Sequence, residues 1–389
     1  MSKTEIPSIR FRGFEDAWEQ RKLGELCNIT TGKLDANAMV SDGQYDFYTS
    51  GIDVFKIDVA AFEGPAITIA GNGASVGYMH LADGKFNAYQ RTYVLTDFLA
   101  DRQFLNVAIG NELPNKIQEE VRGSGIPYIV LNMLTDLAIP FPSHEEQYAI
   151  GVYFQQLDNL ITLHQRKFEK LTNVKKSMLE KMFPRNGSCY PEIRFKGFTD
   201  PWEQRKAIDI ADYSKGNGYS KGDLIDVGTP IILYGRLYTK YQFAISEVDT
   251  FTVPRNGTVY SQGNEVIVPA SGETAEDIAR ASAVEKSGVL LGGDLNILRP
   301  FDFINPLFLA LAISNGGPQK ELAKKAQGKS VVHIHNTDIQ EVTITYPSKT
   351  EQDRIVSVFR QLDNLITLHQ RELEKLQNIK KSLLEKMFV

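Results

Sequence analysis

Two stretches of the chain, residues 142–184 and 347–389, carry apolar side chains three and four positions apart. This spacing places the apolar side chains on one face of an α-helix, and it is typical of a coiled-coil seam with a slight phase adjustment near Leu171–Met178. Pro142 and Pro347 mark the starts of the two stretches, since proline is tolerated in the first turn of a helix. The pattern therefore predicts one long helix in each stretch.

The seam of each predicted helix is occupied by the residues that repeat at this spacing. The seam residues are Leu157, Ile161, His164, Phe168 and Leu171 in the first helix and Leu362, Ile366, His369, Leu373 and Leu376 in the second. A helix of about 40 residues needs a packing partner, and the other helix is the natural one. We expect an antiparallel coiled coil that carries a globular domain at each end and brings the start of the chain close to its end.

The two helical stretches are near-copies of each other. The string "QLDNLITLHQR" at 156–166 returns 205 positions later, and the string "IRFRGFEDAWEQRK" at 9–22 returns in similar form 184 positions later. The intervening segments, about 23–141 and 207–346, show no obvious similarity. The chain is thus an entry motif, a variable domain and a long helix, repeated once with a pseudo-twofold plan.

The repeats divide the chain into four parts. We expect a first domain in residues 1–141, a first spacer helix in 142–184, a second domain in 185–346 and a second spacer helix in 347–389. The total length of 389 residues is enough for two or three domains of ordinary size.

Both variable domains show the short β-rich runs and turn residues of a mixed fold. Examples are "PAITIA" at 65–70 in the first domain and "NEVIVPA" in the second. Residues 304–314 predict a helix, because Asn305 is a good N-cap and Pro306 suits the first helical position. The expected fold class is α/β (mixed α+β), in two copies joined by the two long helices.

Composition places the chain among ordinary globular proteins and excludes several classes. Its residues are 42% hydrophobic and 10% aromatic, yet no apolar run approaches the ~18–20 residues of a membrane span. The first residues lack the apolar core of a signal peptide. Cys27 and Cys189 are the only cysteines, too few for a disulfide framework or a four-cysteine zinc site. We expect a cytoplasmic protein that does not contact membranes.

The formal net charge is −5, so no global basic field indicates a nucleic-acid binder. The two spacer segments are slightly basic, with 6 basic and 5 acidic side chains in 142–184 and with 8 and 6 in 347–389. Any face that binds DNA must therefore be local.

Three short motifs resemble parts of catalytic or nucleotide sites, and each has a better structural explanation. The string "NPLF" at 305–308 is one letter from the Asn-Pro-Pro-aromatic loop of amino-methylating DNA methyltransferases, but a capped helix explains it. The string "AGNGASVG" at 70–77 lacks the context of a dinucleotide motif, and a tight turn between strands is favoured. The string "AQGKS" at 326–330 has Ala323 where a phosphate loop needs glycine.

His333 and His335 lie two positions apart and share a face if they lie in a strand. A metal site needs further ligands, and no third ligand is apparent, so polar contacts to a partner are favoured. No Ser/His/Asp or Cys/His arrangement stands out. We expect no catalytic residue, no metal and no cofactor in this chain.

The plan of two variable domains separated by near-identical helices resembles the specificity (S) subunit of type I restriction–modification systems over the whole chain. Residues 18–33 are similar to the opening of a target-recognition domain of that family, and residues 67–95 to its middle. The most specific element is Pro-x-x-x-Glu-Gln before a long helix, at 142–147 and 347–352. The middle of the second domain departs from that of the first, so its contacts cannot be assigned by matching.

The resemblance implies a division of labour. Each domain reads one half of an asymmetric, bipartite target in double-stranded DNA, while the coiled coil sets the gap and docks two methylation (M) subunits. Those partners bind S-adenosylmethionine and methylate adenine N6, and restriction (R) motor–nuclease subunits join for cleavage. This chain is then a non-catalytic subunit. Asn159 and Asn364 fall off the seam, and we expect them to face the M subunits.

Reading DNA needs Arg, Lys, Asn or Gln at base edges and basic groups at phosphates, and polar loops near β-structure are the places to look. The candidates are Lys33, Tyr78, His80, Gln90, Arg91, Arg122 and Ser124 in the first domain and Lys215, Tyr219, Arg236, Lys240, Gln242, Lys324, Lys325, Gln327 and Lys329 in the second.

An alternative function is a non-catalytic, two-headed scaffold that holds proteins or glycans at a fixed spacing and does not bind DNA. The acidic net charge favours the scaffold, whereas the repeat plan and the Pro-x-x-x-Glu-Gln elements favour the DNA reader. Salt-dependent binding to a bipartite duplex distinguishes the two, because neutralising phosphates makes affinity fall with salt.

Overall fold

The computed structural model describes residues 6–120, 127–185, 187–328 and 331–388. The chain forms two compact units, of which unit 1 consists of Met1–Arg166 and His369–Val389 and unit 2 consists of Lys167–Leu368. Each unit therefore contains one globular part and a portion of each long helix. The compact units cut across the spacer segments that the sequence repeats define.

The elements of unit 1 follow one another along the chain as short strands between longer helices. Its strands are β1 (Glu19–Lys22), β2 (Asn28–Thr31), β3 (Tyr45–Tyr48), β4 (Val54–Ile57), β5 (Phe62–Glu63), β6 (Ala66–Ala70), β7 (Met79–Ala82), β8 (Lys85–Ala88), β9 (Thr92–Thr96) and β10 (Ala138–Phe141). Its helices are α1 (Leu23–Leu26), α2 (Arg102–Glu120), α3 (Leu131–Thr135) and α4 (His144–Lys181), the last of which continues into unit 2.

Two four-stranded sheets form the globular part of unit 1, with the strand orders β2-β9-β6-β7 and β4-β3-β8-β5. The first sheet is antiparallel, and the second contains the parallel pair β3 and β8. Every residue of the central strand β6 is buried, because the sheet is covered on both faces. The separate antiparallel pair β1 and β10 sets the entry motif beside the strand that leads into α4.

Unit 2 has a similar series of elements. Its strands are β11 (Glu203–Lys206), β12 (Ala211–Lys215), β13 (Thr229–Ile232), β14 (Ala244–Ile245), β15 (Phe251–Thr252), β16 (Tyr260–Gln262), β17 (Glu265–Pro269), β18 (Ser271–Gly272), β19 (Ser282–Val284), β20 (Ser287–Leu291), β21 (Leu295–Pro300), β22 (Val332–His333) and β23 (Thr343–Tyr346). Its helices are α5 (Arg236–Thr239), α6 (Ala275–Ile278), α7 (Pro306–Ile313), α8 (Gly316–Lys325), α9 (Asn336–Gln340) and α10 (Lys349–Met387), which continues into unit 1.

The sheets of unit 2 have the orders β12-β21-β17-β19-β14 and β15-β13-β20-β16, and β11 pairs with β23. Strand for strand, this is the topology of unit 1 with β14 and the pair of β18 and β22 added, and it includes the parallel pair of β13 and β20. The two variable segments thus share one fold without visible sequence similarity. Burial pattern and turn positions are enough to specify a sheet, and many different apolar residues satisfy them.

The predicted helix at 304–314 is confirmed as α7. Asn305 is its N-cap, and its side-chain oxygen accepts hydrogen bonds from the backbone N–H of Leu307 at 2.8 Å and of Phe308 at 3.3 Å. Pro306 occupies the first helical position, where its missing N–H costs nothing. The string "NPLF" is therefore the capped start of a buried helix.

In unit 1 the Pro-x-x-x-Glu-Gln element binds the entry motif to the globular part. Glu146 is fully buried and accepts two hydrogen bonds from the guanidinium of Arg10, at 2.7 and 2.8 Å, and a third from Trp18 Nε1 at 3.1 Å. The side chain of Gln147 accepts a hydrogen bond from the backbone N–H of Asp101, just before α2. The Glu-Gln pair of the motif is required here because each of its side chains has a defined hydrogen-bond partner.

Unit 2 repeats this arrangement with one difference. Glu351 accepts two hydrogen bonds from the guanidinium of Arg194, both at 2.8 Å, and Gln352 accepts one from the backbone N–H of Asn305 at 2.8 Å. Trp202 stands where Trp18 stands in unit 1, but its Nε1 has no hydrogen-bond partner among the described residues.

The helices α4 and α10 run antiparallel in unit 1, as predicted. His164 contacts His369 through Nδ1 atoms 3.2 Å apart, and Asp158, earlier in α4, pairs with Lys380, later in α10. Leu157 is buried, and the other predicted seam residues are half-buried. The seam is therefore polar at the histidine pair. His164 and His369 occupy the same position in the two copies of the repeat, so this position contacts its own counterpart.

In unit 2 the predicted phase adjustment near Leu171–Met178 is wrong. Lys175 occupies the seam position in half-buried form and pairs with Asp363 at 2.5 Å, whereas Val174 is 38% exposed. A lysine can bury its aliphatic stem and still present its charge to a partner, so the regular spacing continues without a shift.

The start and the end of the described chain meet in unit 1, as predicted. The backbone N–H of Ile9 donates to the carbonyl oxygen of Lys386 at 3.1 Å. Unit 2 contains the equivalent bond, from Ile193 to Lys181 at 2.9 Å.

No helix within the described residues is both long and apolar enough to cross a membrane.

Candidate nucleic-acid interface

One edge of unit 1 gathers the loops at one end of both sheets. The strands β2, β3, β6 and β8 end there, and β4, β7 and β9 begin there. The connecting residues are 32–35, 49–53, 71–78 and 89–91. We call these residues the loop edge of unit 1.

Two glycines let the loops of this edge approach each other closely. A Cβ on Gly32 would lie 1.9 Å from the carbonyl oxygen of Ala88, and one on Gly71 would lie 2.2 Å from that of Arg91. The backbone N–H of Gly71 donates to the Arg91 oxygen at 2.9 Å. The string "AGNGASVG" is thus a turn between antiparallel strands, as the sequence favoured.

Most of the candidates that the sequence predicts for the first domain lie on this edge. Lys33, Gln90 and Arg91 are exposed and come from two of its loops. Among the described residues, the side chains of Lys33 and Arg91 form no ion pair, so their charges face solvent. Arg122 and Ser124 lie outside the described residues.

Aromatic rings form a second part of the edge. Tyr78 is 41% exposed, and its ring centroid lies 4.9 Å from that of His80, which also contacts Tyr48 at 5.1 Å. Burial lowers the pKa of His80 below its ordinary value, while a hydrogen bond to the backbone of Gly51 acts the other way. His80 is therefore neutral near pH 7. Its Nε2 atom is buried and has no hydrogen-bond partner among the described residues, so His80 contributes its ring to the edge.

The loop edge of unit 2 lies at the same end of the equivalent strands. Its residues are 216–220, 233–243, 253–259, 270–281 and 292–294. Loops from different strands are joined by backbone hydrogen bonds, such as that from Gly293 N to Gly218 O at 2.7 Å. Gly216 corresponds to Gly32, since a Cβ there would lie 1.8 Å from a carbonyl oxygen.

The first loop of this edge carries Lys215 and Tyr219. Lys215 is exposed at the end of β12. Tyr219 has a φ of 60°, and its hydroxyl group lies 2.8 Å from Thr258 Oγ1. The guanidinium of Arg255 lies 5.1 Å from the centroid of the Tyr219 ring, a cation–π arrangement. Arg255 is a basic side chain on the edge that the sequence candidates did not include.

Arg236 and Lys240 are both held by Asp249. Arg236 is only 8% exposed and donates to Asp249 at 2.5 Å, to Gln242 and to a backbone carbonyl, and Lys240 donates to the other Asp249 oxygen at 2.5 Å. These bonds lower the pKa of Asp249 to about 2. The structure therefore gives Arg236 a role in holding the shape of its loop.

The remaining candidates follow α8. Lys324 is exposed, whereas Lys325 pairs with Glu341 at 2.5 Å and lowers the pKa of that carboxyl. Gln327 is exposed and exchanges two backbone hydrogen bonds with His333. Lys329 lies outside the described residues. The string "AQGKS" follows a helix, which does not suit a phosphate loop.

The described residues contain no group of three or more His, Cys, Asp or Glu side chains that could hold a metal ion. His333 Nδ1 lies 3.1 Å from Ser271 Oγ, and the backbone N–H of His335 donates to Asp338. The two histidines therefore have separate partners.

A weak repeat could have shown that the two edges correspond. The string "RGSGIPYI" at 122–129 precedes "QGKSVVHI" at 327–334 by 205 positions, the same offset as the helical repeat. This alignment makes Tyr128 the counterpart of His333, and the sequence candidates included neither.

Comparisons with known proteins agree with the repeat. A family model described as type I restriction modification DNA specificity domain matches residues 15–173 and again residues 199–378. The EcoDI specificity subunit of Escherichia coli is 37% identical over 179 residues, which cover 46% of this chain and 40% of that protein. The MjaVIII specificity subunit of Methanocaldococcus jannaschii is 21% identical over 279 residues, 69% of this chain and 65% of that protein. The chain spans less than two thirds of either relative.

Among solved structures, a type I restriction–modification S subunit from M. genitalium superimposes with a TM-score of 0.69. The alignment covers 99% of both chains at 17% sequence identity. This likeness supports the fold described above.

Proposed function

The chain belongs to the family of type I restriction–modification DNA specificity domains, and on this premise we propose that each unit reads one half of a bipartite DNA target. One observation carries the proposal: the same loop edge is built twice, on the same strand topology, with different polar and basic side chains. Two domains that recognise different half-sites can share one backbone framework, but they need different side chains, because contacts to base edges specify the sequence.

On unit 1 we assign Lys33 and Arg91 to phosphates or guanine edges, since both charges face solvent. Gln90 lies beside Arg91 and can pair with an adenine edge. The rings of Tyr78 and His80 can contact bases or sugars.

On unit 2 we assign Lys215 and Lys324 to phosphates, and Tyr219 with Arg255 to a stacked contact. Gln242 and Gln327 are the candidates for base edges, because both are exposed on the loop edge or beside it. Arg236, Lys240 and Lys325 act on DNA through the loops that they hold, since each already has a carboxylate partner.

The helices α4 and α10 offer a surface for partner subunits. Leu160 and Leu163 are each 45% exposed, and their counterparts Leu365 and Leu368 are 43% and 52% exposed. Exposed apolar side chains at repeated positions are suited to protein contacts. We assign this face, with the exposed Asn159 and Asn364 of the expected contact surface, to two methylation subunits.

The division of labour follows from these assignments. The methylation subunits supply S-adenosylmethionine and transfer its methyl group to adenine N6, restriction subunits join for cleavage, and this chain supplies target choice without catalysis. The length of the two helices sets the gap between the half-sites, because a helix fixes a distance better than a flexible linker does.

The test is to purify the chain with its methylation subunits and map methylated adenines on genomic DNA. We expect one bipartite motif, and binding to a duplex with that motif that weakens as salt rises. The double variant Lys33→Ala, Arg91→Ala should weaken binding. It should also reduce the slope of log K against log salt concentration by about one per lost phosphate contact. Arg12→Ala is the matched control, an exposed arginine outside the loop edge. Methylation without a motif, or binding that salt does not change, contradicts the proposal and favours the scaffold.

A further inference from the structure

Each loop edge borders a short two-stranded ribbon, and one segment of that ribbon belongs to the edge. In unit 1 the ribbon pairs Asn72 with Tyr128 in antiparallel fashion. In unit 2 it is the pair of β18 and β22, in which Ser271 lies opposite His333. We refer to these as the ribbon of unit 1 and the ribbon of unit 2.

The two ribbons occupy equivalent positions in the fold. The backbone N–H of Ile129 donates to Gly71 O at 2.7 Å in unit 1, and that of Ile334 donates to Ala270 O at 3.1 Å in unit 2. In both units the first ribbon segment directly follows an inner strand of a sheet, which is β6 in unit 1 and β17 in unit 2. The second segment arrives from the helix that follows that sheet.

We propose that the ribbon of each unit distinguishes base pairs within its half-target, through Asn72 and Tyr128 in unit 1 and through Ser271 and His333 in unit 2. This inference rests on the proposed function and goes further, because it assigns specificity to four residues that the sequence candidates did not include.

The geometry of a ribbon brings each pair of side chains together. Residues directly opposite each other in an antiparallel pair project from the same face, with Cβ atoms about 5 Å apart. In unit 2 the contact is visible, since Ser271 Oγ lies 3.1 Å from His333 Nδ1. Tyr128 is 59% exposed, and His333 is also exposed. Each ribbon thus presents a small polar side chain next to a larger ring.

Backbone contacts hold the first segment of each ribbon in position. Gly71 is held against Arg91, as described above, and the hydroxyl group of Tyr238 donates to the carbonyl oxygen of Ser271. Gly328, with a φ of 141°, lets the chain turn before β22, where a Cβ would lie 1.9 Å from the oxygen of Val331. Side chains on a rigid backbone discriminate better than side chains on a mobile loop.

The chemistry of the two pairs differs where the backbone is the same. A two-stranded ribbon fits the major groove of DNA, where the four base pairs present distinct donors and acceptors. Asn72 and Tyr128 offer a side-chain amide nitrogen and a phenol in unit 1, where Asn72 Oδ1 is buried, whereas Ser271 and His333 offer a hydroxyl group and an imidazole in unit 2. Two different half-sites require different hydrogen-bonding groups at equivalent positions of the two units.

The test exchanges the pairs between the units. The double variant Ser271→Asn, His333→Tyr and the double variant Asn72→Ser, Tyr128→His are each purified with the methylation subunits. Each complex then selects duplexes from a library randomised in both half-sites. We expect discrimination to fall or change by ~5- to 150-fold at one or two base pairs of the half read by the altered unit. The other half should stay as in the wild type.

Tyr190→His is the matched control, because Tyr190 is 56% exposed in unit 2 and lies outside its loop edge. A wild-type complex that selects no bipartite motif contradicts the proposed function itself. An unchanged motif in both exchange variants overturns the ribbon inference alone. Loss of binding to every duplex by a variant with the wild-type circular dichroism spectrum also overturns it, since the ribbon is then a general anchor.

Discussion

The loop edges of unit 1 and unit 2 have the same strand topology, but their basic side chains differ in whether they form ion pairs. In unit 2, Arg236 and Lys240 share Asp249, and Arg255 pairs with Asp223. In unit 1, among the described residues, Lys33 and Arg91 extend into solvent without a carboxylate partner. The same fold therefore supports one edge on which three cations are held by carboxylates and one on which Lys33 and Arg91 are free in the described part of the chain.

This difference determines whether a basic side chain loses its conformational entropy on folding or on binding DNA. A free lysine or arginine loses side-chain entropy when it binds, whereas one held in advance has already lost it. A held cation also has a partner that competes with the phosphate. We therefore expect unit 2 to depend on the shape of its loops and unit 1 to depend on the charges themselves.

The largest effect should come from the buried carboxylates of the two Pro-x-x-x-Glu-Gln elements. Arg10→Ala leaves Glu146 buried without its cation, and Arg194→Ala does the same to Glu351, so each should cost about 3–5 kcal/mol of unfolding free energy. Trp18 still donates to Glu146 in unit 1, whereas Trp202 is not hydrogen-bonded in the described structure. Arg194→Ala should therefore be the more damaging change.

Urea unfolding measures these losses, with the exposed Arg12→Ala and Lys196→Ala as controls for units 1 and 2. Equal losses from Arg10→Ala and Arg194→Ala would show that the tryptophan hydrogen bond contributes nothing.

The second effect tests the backbone that the two edges share. Gly32→Ala and Gly216→Ala each place a Cβ within 2 Å of a carbonyl oxygen, so the loops must separate at a cost of about 1–3 kcal/mol. Selection of duplexes should then lose the half-site of the altered unit and keep the other half.

The control substitutions are Gly51→Ala in unit 1 and Gly235→Ala in unit 2, where an added Cβ meets only ordinary contacts or open space. If Gly32→Ala affects both half-sites alike, the assignment of one half-site to each unit is wrong.

A smaller effect should come from Asp249→Asn, which removes the carboxylate that holds Arg236 and Lys240. These pairs are partly exposed, so the loss of stability should be at most about 1 kcal/mol. We expect weaker discrimination in the half-site of unit 2 only, measured by library selection. Asp226→Asn, at an exposed aspartate of the same unit, is the control. Unchanged discrimination would mean that the held cations do not shape the edge.

The smallest effect is a pH dependence confined to unit 2. The pKa of Asp249 is about 2 in the folded chain against an ordinary value of 3.8, so its ion pairs stabilise the loop fully above the ordinary value. That contribution is lost as pH falls from about 4 toward 2. Amide exchange around residues 244–250 should quicken in this window in the wild type but not in Asp249→Asn. Equal pH profiles for the two proteins would contradict this.

Local patterns predicted the parts of the fold that depend on neighbouring residues. The cap at Asn305, the glycine turn after β6 and the antiparallel helix pair all follow from spacing or from a short motif. Lys175 on the seam does not follow from the spacing of apolar residues, because a lysine is polar although its stem packs as an apolar group.

The shared sheet topology could not be predicted, since strand pairing joins residues far apart in sequence. The candidate site stays a prediction, made as a set of loops, and the structure shows that its residues Lys33, Arg91, Lys215 and Lys324 are exposed. Which cations are free and which are held depends on Asp249, Asp223 and Glu341, and these partners come from other loops. Composition does not show such pairings, and the partners of Tyr128 and His333 in the ribbons become visible only in the strand pairing.

The hydrogen bond from Ile9 to Lys386 joins the entry motif of unit 1 to the last turns of α10. Its equivalent in unit 2, from Ile193 to Lys181, is spanned by a continuous chain, so one junction is covalent and the other is closed only by packing. The bond in unit 2 joins residues that are close in sequence, whereas the bond in unit 1 joins residues from opposite parts of the described chain. During synthesis, unit 1 therefore cannot be completed until the part of α10 near Lys386 has been made.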